Sequence, residues 1–198
     1  MSKRRTLTVV ALVIGALGVW QLAGGGWIYA KAALAKGMIA DAWDETLSTG
    51  IKIKPWPWAD TWPVAKLNFP THQRDITVLA GAQGATLAFG PGHLSGTAKP
   101  GAAGNSVIAG HRDTSFTLLG DLKPGDPVEL QKDDGFWFSY RVTGSTIVDS
   151  REKWFPPEPD ESMLTLVTCW PLDAITPGGP MRYLVFAEEA SPRLTSKR

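Results

Sequence analysis

Two hydropathy regimes divide the chain. Between Thr6 and Ala30 the sequence runs for 25 residues without a charge, and Lys3, Arg4 and Arg5 precede that run. A helix needs about 20 apolar residues to cross a bilayer, so the run predicts a transmembrane helix. The basic cluster in front of it predicts a cytoplasmic N-terminus, with everything after residue 30 on the outer side. Trp27 and Tyr29 stand at the far end, where aromatic rings favour the membrane interface. A cleaved signal peptide is the competing reading, because Ala30-Lys31-Ala32 has a small-x-small form. Signal h-regions are about 7–15 residues long, shorter than this run, which favours an uncleaved anchor.

Beyond the run, Leu34, Met38, Ala42 and Glu45 recur at helical spacing. They predict a short helix over 31–47 that stops before Ser48-Thr49-Gly50. Pro55-Trp56-Pro57-Trp58 and Trp62-Pro63 then exclude regular helix and predict an extended linker or a strap on the domain surface. Its tryptophans face either the membrane or the domain, and packing on the domain is the plainer alternative.

From about residue 62 the pattern shortens. Val64–Phe69, Ile76–Leu79, Ser106–Ala109, Pro127–Leu130, Phe136–Val148, Met163–Thr168 and Met181–Ala187 read as strands. Turn residues separate most of them: Gly90-Pro91-Gly92, Lys99-Pro100-Gly101, Lys123-Pro124-Gly125-Asp126 and Asp133-Asp134-Gly135. Thr114 to Asp121 reads as a loop or helical turn. Short strands with this punctuation predict a mainly β domain, a barrel or a sandwich. The organisation expected is a cytoplasmic tip and transmembrane anchor (1–30), a juxtamembrane helix and Pro/Trp-rich linker (31–61), one β domain (62–190) and a polar tail (191–198). No internal repeat interrupts it.

Composition narrows the function. The 198 residues carry 20 basic and 19 acidic side chains, a net charge of +1, without the basic excess of a nucleic-acid binder. Twenty-one glycines and 15 prolines suit many short elements joined by turns. A single cysteine, Cys169, can form no internal disulfide and no cysteine-built zinc site. A lone cysteine is often just a small buried hydrophobe. Outside the cytoplasm, however, cysteines are usually paired, so an unpaired one points to chemistry.

Its surroundings support that. In Thr165-Leu166-Val167-Thr168-Cys169-Trp170-Pro171, strand alternation puts Thr165, Val167 and Cys169 on one face and Leu164, Leu166 and Thr168 on the other. Pro171 cannot continue a central ladder, so Cys169 ends its strand and opens into a Pro/Gly loop from Trp170 to Pro180. Arg182 opens the next apolar strand. In an antiparallel hairpin it returns to the same end as Cys169. There it is either an edge charge snorkelling to water or a fixed cation for an oxyanion. A general acid/base is also needed. Of the three histidines, His111 follows the apolar Val107-Ile108-Ala109-Gly110 and ranks first; His93, in a turn, ranks second; His72, in a polar loop, ranks last. A thiol is mostly protonated at neutral pH, and a nearby imidazolium or guanidinium favours the reactive thiolate. Cysteine, histidine and arginine together supply nucleophile, acid/base and anion stabiliser.

These residues resemble a known family. Thr165-Leu166-Val167-Thr168-Cys169 looks like the TLxTC motif of sortases; Arg182, 13 residues on, matches the family arginine and Gly110-His111 the family histidine. The resemblance covers about 62–188. Gly110-His111-Arg112-Asp113-Thr114, Phe116 and Cys169-Trp170-Pro171 look most like sortases of Gram-negative bacteria. The resemblance implies an eight-stranded β-barrel with short helices behind one transmembrane helix. It implies a cysteine transpeptidase on the bacterial inner membrane, with its catalytic domain periplasmic or extracytoplasmic. Cys169, His111 and Arg182 would be catalytic, with Thr168 and Trp170 touching substrate. The partner implied is a protein with a C-terminal LPxTG-like sorting signal, cleaved through a Cys thioester and passed to an amine acceptor that the sequence does not name. No cofactor or metal is implied, and no acidic cluster supports a calcium site. The alternatives are an L,D-transpeptidase-like cysteine enzyme acting on peptidoglycan, whose Ser-His-Gly-Cys context is absent here, and an inactive membrane-tethered binding module.

Overall fold

The computed structural model describes residues 3–152, 160–174, 176 and 178–190. The polar tail expected from Ser191 lies outside the described residues. In chain order the elements are α1 (Lys3–Thr49), β1 (Pro63–Phe69), a 3-10 turn (Pro70–His72), β2 (Arg74–Ala80), α2 (Gly84–Leu87), β3 (Gly92–His93), β4 (Gly104–Ala109), a second 3-10 turn (Thr117–Gly120), β5 (Pro127–Lys132), β6 (Trp137–Asp149), β7 (Ser162–Cys169) and β8 (Met181–Glu189).

Two compact units divide at Gly37. In the first, α1 is long and apolar enough to cross a membrane. Leu12, Leu17, Trp20, Leu22 and Tyr29 are exposed along it, which in water would leave that surface without an apolar partner. The span and the juxtamembrane helix expected separately are one element of 47 residues. The alanine-rich junction at 30–35 contains nothing that breaks a helix. Gly50, at φ +71°, ends it, and its amide donates to the Thr46 carbonyl (2.8 Å).

In the second unit, the part of α1 after Gly37 buries Ile39, Ala42, Trp43 and Thr46. That i, i+3, i+4, i+7 stripe differs from the one read from sequence, since Leu34 is 65% exposed and Glu45 is exposed. The packed face is the one carrying Trp43, whose large ring removes the most apolar area from water. The Pro/Trp segment is a strap on the domain. Thr61 Oγ1 donates to the Ala80 carbonyl (2.8 Å), the Ala80 amide donates to the Trp62 carbonyl (2.8 Å), and Trp56 meets Phe89 edge-on at 4.9 Å. Trp58 remains 80% exposed.

Among the described residues, eight strands close into a barrel in the order β1-β2-β3-β4-β7-β8-β6-β5. Period-two alternation builds its core: Ala65, Leu67 and Phe69 from β1, Val128 and Leu130 from β5, Leu164 and Leu166 from β7, Val185 and Ala187 from β8. Truncating a fully buried leucine such as Leu166 to alanine typically costs about 2–5 kcal/mol. Seven of the eight strands match segments read from sequence. The eighth, β3, falls where a turn was expected. Its two residues bridge β2 and β4 and close the ring. A Cβ on Gly92 would lie 2.0 Å from the Gly81 carbonyl oxygen, so only glycine permits that approach.

Candidate active site

Register brings the chemistry together. β7 pairs antiparallel with β8, and Cys169 is the direct partner of Arg182. Partnered residues project to the same face of a sheet. That face is the outer one, because the alternate pairs Leu164/Ala187 and Leu166/Val185 fill the core. β4 pairs parallel with β7 on its other side, with Ala109 opposite Val167. The Gly110 amide donates to the Val167 carbonyl (3.0 Å), and the Thr168 hydroxyl donates to the Gly110 carbonyl (2.8 Å). The backbone bond extends the pairing past Ala109 and the side-chain bond ties Gly110 to β7, so the chain at His111 leaves the sheet beside the Cys169 end of β7. Neighbouring strands lie about 4.8 Å apart, so the backbone of Arg182 and the segment leading to His111 run on either side of the Cys169 end of β7.

Burial along this face is partial, with Val167 and Phe186 half-buried, and exposure is greatest at this end. Val107, Thr165 and Leu184 are buried, Cys169 and Arg182 are half-buried, and His111 is exposed. Among the described residues no hydrogen bond engages the His111 ring, which leaves both nitrogens for proton transfer. Gly110 is pressed against Phe116: a Cβ there would meet its ring at 2.8–3.1 Å. The Phe116 amide closes the turn by donating to the His111 carbonyl (2.9 Å).

Arg182 spends one nitrogen on its own loop. Nη1 donates to the carbonyls of Gly179 (2.8 Å) and Met181 (2.9 Å), which leaves Nε and Nη2 as donors. Nearby Asp149, opposite Met181 on β6, is held down at a pKa of about 2. The main causes are its hydrogen bonds from the Arg151 side chain and amide, and the charge of Arg182 adds to them. Asp149 is therefore ionised at neutral pH and contributes a negative charge beside that guanidinium.

The two residues expected to touch substrate differ in placement. Thr168 is 2% exposed, points inward and has its hydroxyl committed to Gly110, so its geometry suits holding the backbone ahead of His111 rather than meeting a peptide. Trp170 is half-buried beside Cys169, stacked on Tyr183 at 5.7 Å, with its amide donating to the Met181 carbonyl (3.0 Å). The Trp170–Pro171 peptide is cis.

The other histidines sit elsewhere. His93 lines a cavity of about 650 Å³ with Lys52, Trp62, Lys99 and Lys132, a cavity that Cys169, His111 and Arg182 do not line. Its Nε2 lies 2.8 Å from the Ala98 carbonyl oxygen and 3.2 Å from Thr97 Oγ1, a structural arrangement. His72 closes the turn between β1 and β2, strands that lie four and three steps from β7 around the barrel. One residue of the site went without a role in the sequence reading: Arg112, buried directly after His111, donates to three carbonyls of the loop that follows Cys169.

The closed barrel thus brings Cys169 and Arg182 together on paired strand ends, with His111 following the adjacent strand. A profile of the sortase domain matches residues 67–190, and the chain belongs to the sortase family, whose members are cysteine transpeptidases. Sortase D of Bacillus subtilis (strain 168) is 28% identical over 126 residues, a match spanning 63% of this chain and 63% of that relative's own length. Sortase A from Corynebacterium diphtheriae superposes with a TM-score of 0.59 at 30% identity, covering 69% of this chain and 64% of that one. The catalytic domain of B. anthracis SrtD gives a TM-score of 0.55 at 34% identity, covering 65% and 88% respectively.

Proposed function

We propose that this protein is a membrane-anchored sortase that cleaves a C-terminal LPxTG-like sorting signal and transfers the upstream protein to an amine. The observation that carries the reading is the register: Cys169 opposite Arg182, with His111 leaving the parallel strand on the other side. Cys169 Sγ, as thiolate, attacks the threonine carbonyl carbon of the Thr–Gly bond. Negative charge moves onto the carbonyl oxygen, where Arg182 Nε and Nη2 can donate to it. The C–N bond then breaks, and protonated His111 gives its proton to the departing glycine amine. The resulting thioester is attacked by the acceptor amine, whose proton passes to His111. A new amide forms and the thiolate leaves, ready for the next cycle. The sorting motif and the placement among Gram-negative sortases rest on the motif residues alone.

The test is the detergent-solubilised full chain incubated with fluorescent sorting-signal peptides and a panel of amines. Scission of the Thr–Gly bond with amine-dependent ligation is the expected result. A folded protein that neither cleaves nor ligates any member of a broad motif library would refute the reading.

The same proposal fixes topology. It puts the N-terminus in the cytoplasm and the barrel outside, a reading supported by Lys3, Arg4 and Arg5 ahead of the apolar stretch. Protease added to intact spheroplasts is expected to digest the barrel. If the barrel survives alongside a cytoplasmic control, the orientation is reversed.

A further inference from the structure

Arg112 is buried, at 9% exposure, and among the described residues no carboxylate pairs with it. A buried guanidinium needs its donors satisfied, because unpaired burial of a charge is costly. Here the partners are all main-chain carbonyls of one loop. Nη1 donates to Pro171 (2.9 Å), and Nη2 donates to Ala174 (2.8 Å) and Thr176 (2.7 Å). The loop begins one residue after Cys169 and ends at β8, where Arg182 Nη1 holds its other limb through Gly179 and Met181. Two arginines on opposite sides of Cys169 thus grip the two halves of the segment that joins Cys169 to Arg182. A second contact lies beside the first: Leu172 packs so tightly against Gly120 that a Cβ there would come within 2.6 Å of Leu172 Cδ1. The segment after His111 and the segment after Cys169 are therefore fastened to each other by a charge-assisted fork and an apolar plug.

We propose that Arg112 is a positioning residue that locks the Cys169–Arg182 loop to the His111 segment and so keeps the three reacting groups in mutual alignment. The proposal rests on the transpeptidase reading above. Arg112 touches neither thiol nor substrate; it acts through the loop backbone. The planar fork matters because three carbonyls converge on two nitrogens, which lysine's single ammonium cannot reproduce in the same geometry. Misalignment by an ångström at a reacting centre can cost about 10²-fold in rate, and a loosened loop acts at that scale.

The test compares wild type, Arg112→Met and Arg112→Lys as full-length chains, with thermal melting to confirm folding. Arg112→Met is expected to lower kcat for peptide transfer by about 10–10²-fold, chiefly in kcat and not in KM. Arg112→Lys is expected to recover part of that loss. Alkylation of Cys169 by iodoacetamide, which reads only the thiolate and neither proton delivery by His111 nor oxyanion donation by Arg182, is expected to fall far less than kcat. Hydrogen exchange is expected to rise in the loop from 170 to 180 and to stay unchanged in the barrel strands. Unchanged kcat in folded Arg112→Met overturns the proposal. So does alkylation falling in step with kcat, which would make Arg112 a tuner of the thiol, and so does faster exchange spread evenly over the barrel, which would make it a general stabiliser. If wild type transfers no peptide, the transpeptidase reading fails by itself, and local exchange still decides whether Arg112 holds the loop.

Discussion

Cys169→Ala is expected to abolish acyl-enzyme formation and all turnover while leaving the barrel folded. The two halves of that outcome come from different parts of the structure. Cys169 is half-buried on the outer face at the end of β7, whereas the core is filled by the alternate residues Leu164 and Leu166. Deleting one sulfur there opens no cavity in the packed interior, so melting temperature should move little. Chemistry has no substitute nucleophile, because the chain has one cysteine. The loss should take kcat down to background, on the order of 10⁴–10⁶, as when a catalytic nucleophile is removed from a cooperating set. Cys169→Ser is expected to be nearly as inactive, since an alkoxide is far harder to form than a thiolate. Turnover above background by purified Cys169→Ala would remove the covalent mechanism.

Arg182→Ala is expected to lower kcat by about 10²–10³-fold with KM little changed, as for loss of an oxyanion donor. The prediction separates two roles that the register alone leaves together. A residue binding peptide equally in ground and transition states would raise KM and spare kcat. A donor that meets charge only as the carbonyl becomes tetrahedral lowers kcat. Nε and Nη2 are the atoms left for that donation, because Nη1 is held by Gly179 and Met181. Arg182→Lys should recover only part, since lysine keeps the charge but loses the fork. Arg182 also supports its own loop, so each variant is compared at matched melting behaviour. In the same series His111→Ala should lose most activity. Were it fully active, the acid/base would have to be another group, and His93, committed to Ala98 and Thr97 in a separate cavity, is poorly placed to serve.

Much of this site was legible in the chain because its signals are local. Alternation of Leu164, Leu166 and Thr168 against Thr165, Val167 and Cys169 gave the face of the cysteine, and Pro171 gave the strand end. A hairpin then returned Arg182 to Cys169, and the structure pairs them directly. His111 needed more: its placement depends on a parallel pairing between β4 and β7, 58 residues apart, which no local pattern encodes. The short β3 was read as a turn because two residues are too few to show alternation. The helical stripe after the span was misplaced because Ile39, Ala42, Trp43 and Thr46 share the packed face, and Thr46 is polar. Arg112 stood in plain view beside His111, yet its partners are backbone carbonyls 59 to 64 residues away. Carbonyls belong to every residue and leave no mark in a sequence, so only the folded loop reveals what that arginine holds.

The most direct measurement is the covalent intermediate itself. The full-length protein is mixed with a sorting-signal peptide in the absence of an amine acceptor, quenched in acid, and mapped by peptide mass spectrometry. The account predicts an adduct equal to the peptide up to its threonine, attached at Cys169, removed by hydroxylamine and absent from Cys169→Ala. An adduct on any other residue, or product formation by wild type with no thioester at Cys169 on any timescale sampled, contradicts it.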